Sequence, residues 1–242
     1  MGAILKLEKL SRYFAGLAAV KEVSLDLEEG GLFGLIGPNG AGKTTLLSII
    51  AGSLKPTSGK ITFKGRDLTG AKSFKAVQAG IARTHQVPKP FRTLSVLENV
   101  EVGLRFGGSQ RSGNDAKDAM QVLELVGIAH RQHSPASMLS VGDMKRMELA
   151  RALAARPTLL LCDEVCSGLT ESETEQILSL LRNIRKAGTT ILYVEHNLKA
   201  IMSVCDHVIV MNYGQKLIEG SPQTVRSDAS VIEAYIGKKA AQ

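Results

Sequence analysis

Leu32-Phe33-Gly34-Leu35-Ile36-Gly37-Pro38-Asn39-Gly40-Ala41-Gly42-Lys43-Thr44 joins an apolar pentapeptide to a glycine-rich turn ending in Lys-Thr. Five consecutive apolar residues are too few for a helix and read as a strand buried on both faces. Beyond the turn, Leu46, Leu47, Ile49 and Ile50 recur at helical spacing. Gly37 to Thr44 fit G-x-x-x-x-G-K-[ST] in the strand–turn–helix setting that this pattern requires. Glycines let the backbone curl so that successive N–H groups point at one anion, and a helix N-terminus adds partial positive charge. Lys43 is then placed to neutralise β- and γ-phosphates, and the Thr44 hydroxyl to coordinate Mg²⁺.

Three further apolar runs, residues 158–162, 190–194 and 207–211, read as buried strands. Helical patterns separate them: Met144, Met147 and Ala150, then Ile177, Leu178, Leu181 and Ile184. Strands alternating with helices imply a parallel sheet covered on both faces. Residues 5–10, 23–27 and 61–64 alternate instead, as half-exposed antiparallel strands do, and Asn212-Tyr213-Gly214 turns the chain into a short strand at 216–218. From 95 to 155 the pattern is almost wholly helical. Ser95-x-x-Glu98 is a capping box, and a second helix spans about 116–126. The expected architecture is α/β, a mainly parallel core with an antiparallel β subdomain. A helical subdomain at about 87–156 is inserted into it, all within one unit over 1–242. Gly107 to Asn114, rich in Gly and Ser, is expected to be a flexible loop.

The run Leu159-Leu160-Leu161-Cys162 ends in Asp163-Glu164, and Ile191-Leu192-Tyr193-Val194 ends in Glu195-His196. Ligands of open α/β sheets bind at such strand ends. Asp163 is placed to hold Mg²⁺ through its water shell, and Glu164 to orient and deprotonate an attacking water. The His196 imidazole is placed to hydrogen-bond a γ-phosphate, with Asn197 as N-cap of the next helix.

The chain of 242 residues is 44% hydrophobic, enough for a full core, so disorder is excluded. No apolar run approaches the ~18 residues of a bilayer span, and the charged start does not read as a signal peptide; a cytoplasmic protein is expected. Cys162, Cys166 and Cys205 are an odd number without repeated spacing, so free thiols are expected. Aromatic residues make up 4% and Trp is absent, which argues against a partner of single-stranded nucleic acid despite the net charge of +7. His130-x-x-His133 has no third ligand nearby and reads as a solvated loop. Lys75, Arg83, Lys89 and Arg92 read as solvated surface facing a partner or a membrane.

With these motifs in place the chain resembles the ATP-binding subunits of ABC (ATP-binding cassette) transporters along essentially its whole length. Leu139-Ser140-Val141-Gly142-Asp143 stands where the family carries Leu-Ser-Gly-Gly-Gln, and Gln86 where it carries its coupling glutamine. Phe14, with Tyr13 as the alternative, stands at the place of an aromatic residue that stacks on adenine. Residues 80–84, 94–100 and 231–237 are similar to the ATPases of branched-chain amino-acid uptake systems.

The resemblance implies a P-loop ATPase using ATP and Mg²⁺. Phe14, Gly37, Asn39, Gly40, Ala41, Gly42, Lys43, Thr44 and Thr45 would bind nucleotide; Thr44, Gln86 and Asp163 would serve the metal; Glu164, His196 and Gln86 would be catalytic. Ser140, Val141, Gly142 and Asp143 would act in trans on the nucleotide of a second cassette, in a homo- or heterodimer. Separate integral membrane permease subunits and, indirectly, a solute-binding protein would complete an importer of branched-chain or other hydrophobic amino acids. The cassette would sit peripherally on the cytoplasmic face of the cell membrane and bind no nucleic acid. A soluble ABC ATPase of an assembly system, such as iron–sulfur cluster biogenesis, is the competing reading. Departures from the family pattern are Val141 for Gly, Asp143 for Gln, Val165 for Pro, Thr170 for Asp or Asn, and His85 for Phe. Ser140/Asp143 and Thr170/Glu173 both have capping-box spacing.

Overall fold

A computed structural model describes residues 2–107 and 115–236. Apart from Gly107, the expected loop at 107–114 lies outside the described residues, as does Gly237.

The apolar runs form the core of a six-stranded sheet ordered β10-β9-β3-β8-β7-β6. Its members are β3 (Leu32–Ile36), β6 (Ile81–Arg83), β7 (Leu159–Asp163), β8 (Thr190–Val194), β9 (His207–Asn212) and β10 (Gln215–Gly220). All neighbours are parallel except β9 and β10, which Tyr213 and Gly214 join through two residues of positive φ. Side chains alternate along each strand, which explains why whole strands are apolar. Leu32, Ile36, Leu160, Cys162, Ile191 and Tyr193 pack on one face with the helices. Phe33, Leu35, Leu159, Leu161, Leu192 and Val194 pack on the other with α1 (Lys43–Ile50) and a second sheet.

That second sheet is antiparallel, ordered β2-β1-β4-β5, from β1 (Ala3–Phe14), β2 (Leu17–Glu28), β4 (Ser58–Phe63) and β5 (Arg66–Asp67). Its strands extend well beyond the alternating stretches that announced them. β6 has only three residues and ends in a charge, so periodicity did not reveal it. It follows α2 (Ser73–Ala79).

Between β6 and β7 lie α3 (Val96–Phe106), α4 (Asp115–Leu125) and α5 (Val141–Ala154), with 3₁₀ turns at Ala129–Arg131 and Ala136–Met138. Ser95 and Glu98 close both bonds of the capping box at α3. Burial on α5 is wider than the expected Met144, Met147 and Ala150 stripe. Met147 to Ala150 are buried consecutively, and Lys145 and Glu148 are buried with them. After β7 come α6 (Glu171–Lys186), capped by the Thr170/Glu173 box, and α7 (Leu198–Val204), capped by Asn197. The chain continues through α8 (Pro222–Ser227) and α9 (Ala229–Ile236). Among the described residues no helix is long and apolar enough to cross a membrane.

Candidate nucleotide site

Register explains why the motifs meet. Leu35 lies level with Val194, and Val194 level with Asp163. The turn after β3, the acids ending β7 and the histidine after β8 therefore emerge at one sheet edge, where α/β folds bind ligands.

The turn is shaped by glycines at Gly37, Gly40 and Gly42, all with positive φ. At two of them space is closed as well. A Cβ on Gly37 would lie 2.1 Å from the Met211 carbonyl oxygen, and one on Gly42 2.2 Å from that of Ala19. Gly42 is the N-cap of α1, without a side-chain cap, which leaves the N–H groups of that helix end to the turn. Asn39 and Gly40 are exposed on its rim, Ala41 is buried beneath it, and Thr44 and Thr45 begin the helix. Lys43 is 7% exposed; its Nζ donates to the carbonyls of Gly37 at 2.6 Å and Pro38 at 3.0 Å. Burial lowers the Lys43 pKa, and the nearby charges of Glu164 and Asp163 offset part of that.

Gln86 Nε2 donates to Glu164 Oε2 at 2.6 Å. His196 Nδ1 lies 3.9 Å from the same oxygen and 3.5 Å from Glu195 Oε2. Glu195 is nearly fully buried, accepts the backbone N–H groups of Cys166 and His196, and is pushed up by burial. Glu164 holds a left-handed backbone, φ 48°, which costs a non-glycine residue energy and needs surrounding support. Support comes from both sides: Glu164 N donates to the Val194 carbonyl at 2.9 Å, and Lys145 Nζ to the Glu164 carbonyl at 3.0 Å.

Asp163 is buried beside the loop, and Arg83 Nη2 bonds its Oδ2 at 2.8 Å. This corrects the solvated reading of Arg83: it is the inward-facing end of β6. Its Nη1 donates to Ser48 Oγ, which in turn donates to the Thr44 carbonyl, so Arg83 links the metal-type carboxylate to α1. Lys75, Lys89 and Arg92 are exposed as expected. Asp163 Oδ1 is buried with no hydrogen-bond partner among the described residues. An orphaned carboxylate oxygen, tied through Arg83 and Ser48 to the helix turn that carries the exposed Thr44, fits the hard oxygen ligands that Mg²⁺ prefers.

Ser140, Val141, Gly142 and Asp143 stand apart from this cluster. Among the described residues none of them hydrogen-bonds to the loop, Glu164 or His196. Ser140 Oγ accepts from Asp143 N at 3.1 Å, but the Asp143 carboxylate does not return the bond and instead lies 3.7 Å from Arg131. The expected capping box is therefore half a box. Val141 is 58% exposed, and a Cβ on Gly142 would come 2.6 Å from Glu173 Oε1. Phe14 is 43% exposed near the β1–β2 turn, with the Arg12 guanidinium 4.6 Å from its ring centre.

The three cysteines are free and buried, and Cys162 is pushed out of the ordinary thiol range by burial. His130 and His133 are exposed, and no metal-binding cluster of His, Cys, Asp and Glu occurs among the described residues. Sequence reading missed the buried charges Lys145 and Glu148, which face the Gln86 segment. Their signal was present: with Arg151 they recur at i, i+3 and i+6 along a helix otherwise rich in buried apolar positions.

Residues 20–167 match the family model described as ABC transporter. The chain belongs to the ABC transporter family. It is an ABC ATPase cassette, and relatives align over nearly its full length. The branched-chain amino acid transport ATP-binding protein LivG of Salmonella typhimurium is 36% identical over 97% of this chain and 98% of its own. BraF of Pseudomonas aeruginosa, which bears the same description, is 34% identical over the same shares. Among solved structures, a nucleotide-free ATP-binding cassette from an ABC transporter superposes with a TM-score of 0.89 at 32% identity. It covers 98% of this chain and 100% of its own. A dimeric bacterial ABC transporter cassette reaches 0.82 at 27% identity, covering 90% and 98%.

Proposed function

We propose that this cassette hydrolyses ATP to drive import of branched-chain or other hydrophobic amino acids through separate membrane subunits. The observation carrying the catalytic part is the contact of Gln86 with Glu164 at 2.6 Å, beside His196 and at the same sheet edge as the Lys43 turn. Descriptions of LivG and BraF as branched-chain amino acid transport proteins support the solute class.

In this reading the N–H groups of residues 37–45 cradle the phosphates, Lys43 neutralises them, and Phe14 stacks on the base. Thr44, Asp163 and Gln86 would hold Mg²⁺, which supplies charge neutralisation when bound. Glu164 accepts a proton from the attacking water. The water oxygen bonds to the γ-phosphorus as the bond to the β–γ bridging oxygen breaks, leaving ADP and phosphate. Gln86 fixes the carboxylate that takes the proton, and His196 donates toward the γ-phosphate. Ser140, Val141, Gly142 and Asp143 close on the nucleotide of a second cassette. Ser140 Oγ accepts from Asp143 N, which leaves its O–H to donate to a phosphate oxygen of that nucleotide. We also read residues 87–156 as the helical subdomain inserted in the core, and place the protein peripherally on the cytoplasmic face of the membrane.

Purification from native membranes tests this reading, followed by measurement of which solutes stimulate ATP turnover in the reconstituted complex. Co-purification with polytopic subunits and stimulation by a hydrophobic amino acid are expected. Recovery with soluble partners alone and no stimulation by any amino acid would contradict it.

A further inference from the structure

One buried face of α5 carries charge. Lys145 and Glu148 are 4% and 2% exposed, and Arg151 follows one turn later. All three engage main-chain groups of the segment after β6: Lys145 Nζ donates to the Gln86 carbonyl at 2.6 Å, Glu148 Oε1 accepts from His85 N at 3.1 Å, and Arg151 Nη1 donates to the Lys89 carbonyl at 3.0 Å. A buried ammonium is costly unless it is fully engaged, and an apolar side chain would fill such a helix position at lower cost. Its presence therefore calls for a reason beyond packing.

Lys145 differs from its two companions in what else it touches. Its second bond, 3.0 Å, goes to the carbonyl of Glu164. One ammonium thus bridges the main chains of the two residues whose side chains meet at 2.6 Å. Glu164 is also the residue with left-handed backbone, and its preceding N–H is already fixed to Val194. With Lys145 in place, the peptide groups on both sides of Glu164 and the one after Gln86 are held.

We propose that Lys145 is a positioning residue for hydrolysis, locking the backbones of Gln86 and Glu164 so that the amide and the carboxylate stay in register. The proposal rests on the ATPase reading of the site. It assigns Lys145 no contact with nucleotide, so it separates binding from turnover.

The test compares steady-state ATP hydrolysis and ATP titration for the whole chain and its variants Lys145→Met, Lys145→Arg, Glu148→Gln and Glu164→Gln. Lys145→Met is expected to lose about 10²-fold in kcat, the usual cost of a displacement of about 1 Å in a catalytic group, with ATP affinity unchanged. Lys145→Arg, whose fork can serve two carbonyls, restores most of kcat. Glu148→Gln keeps an acceptor for His85 N and stays near wild type. Wild-type kcat in Lys145→Met beside an inactive Glu164→Gln would overturn the positioning role alone. Wild-type kcat in Glu164→Gln would instead overturn the underlying reading of the site. A parallel fall of kcat and ATP affinity in Lys145→Met, with no rescue by Lys145→Arg, would also overturn the positioning role, as mere structural damage. Should Lys145→Met fail to fold, Lys145→Gln, which can satisfy one carbonyl, is expected to show an intermediate kcat; full activity there overturns the proposal.

Discussion

Replacing Arg83 by Met removes the cation of a nearly dry ion pair. Its side chain is 10% exposed and that of Asp163 1%, at 2.8 Å. At an effective dielectric constant of about 20, two unit charges at that distance attract by about 6 kcal/mol. Much of this only offsets desolvation already incurred, so the observable loss is that of leaving one buried charge alone, about 3–5 kcal/mol. The bond to Ser48 Oγ adds about 1 kcal/mol. Together these make about 4–6 kcal/mol; for a chain of this size each kcal/mol moves Tm by roughly 2–4 °C, so a fall of roughly 8–24 °C is expected in a thermal melt. Urea unfolding of Arg83→Met, Asp163→Asn and the double variant isolates the coupling. The double variant should be more stable than the sum of the single losses allows, because removing both charges leaves none stranded. A loss below about 1 kcal/mol in Arg83→Met, the range of exposed pairs, would refute the reasoning and return Arg83 to the solvated surface.

Phe14→Ala should weaken ATP by about 1–3 kcal/mol, the usual worth of base stacking, while leaving inorganic triphosphate unchanged; equal losses in the two titrations would argue against stacking. Burial raises the Glu148 carboxyl above its ordinary 4.5, with the bond from His85 N and then the charges of Arg151 and Lys145 offsetting part of the shift. The unfolded chain then releases this proton first, so Glu148 makes stability fall as pH rises from about 4.5 through the raised native value. Glu148→Gln is expected to flatten the pH dependence of urea unfolding across that window; an unchanged slope would contradict the assignment.

The sequence carried most of the fold because the parallel strands are buried on both faces and therefore appear as plain apolar runs. Strands β3 and β8 begin and end where those runs do. The phosphate turn was legible for a second reason: its glycines meet steric demands that no other residue satisfies. Strand β6 escaped because three residues ending in arginine show no period, and with it went the Arg83–Asp163 pair. Periodicity also assumes that charge means surface. On α5 that assumption fails at Lys145 and Glu148, whose partners are backbone groups about 60 residues away in the chain. The i, i+3, i+6 recurrence with Arg151 marks the face, but the distant partners that satisfy it leave no local mark. The Ser140/Asp143 spacing was read as a reciprocal cap, yet Arg131 competes for the carboxylate, a partner that only the tertiary structure supplies.

The central claim is that Glu164 takes the proton from water at a site where Lys43 and its turn hold the triphosphate. Single-turnover hydrolysis by Glu164→Gln, measured beside ATP affinity, addresses it most directly. The account predicts retained binding with turnover slowed by ~10²–10⁴-fold, the usual contribution of general acid–base catalysis. Turnover equal to the unaltered protein would contradict it.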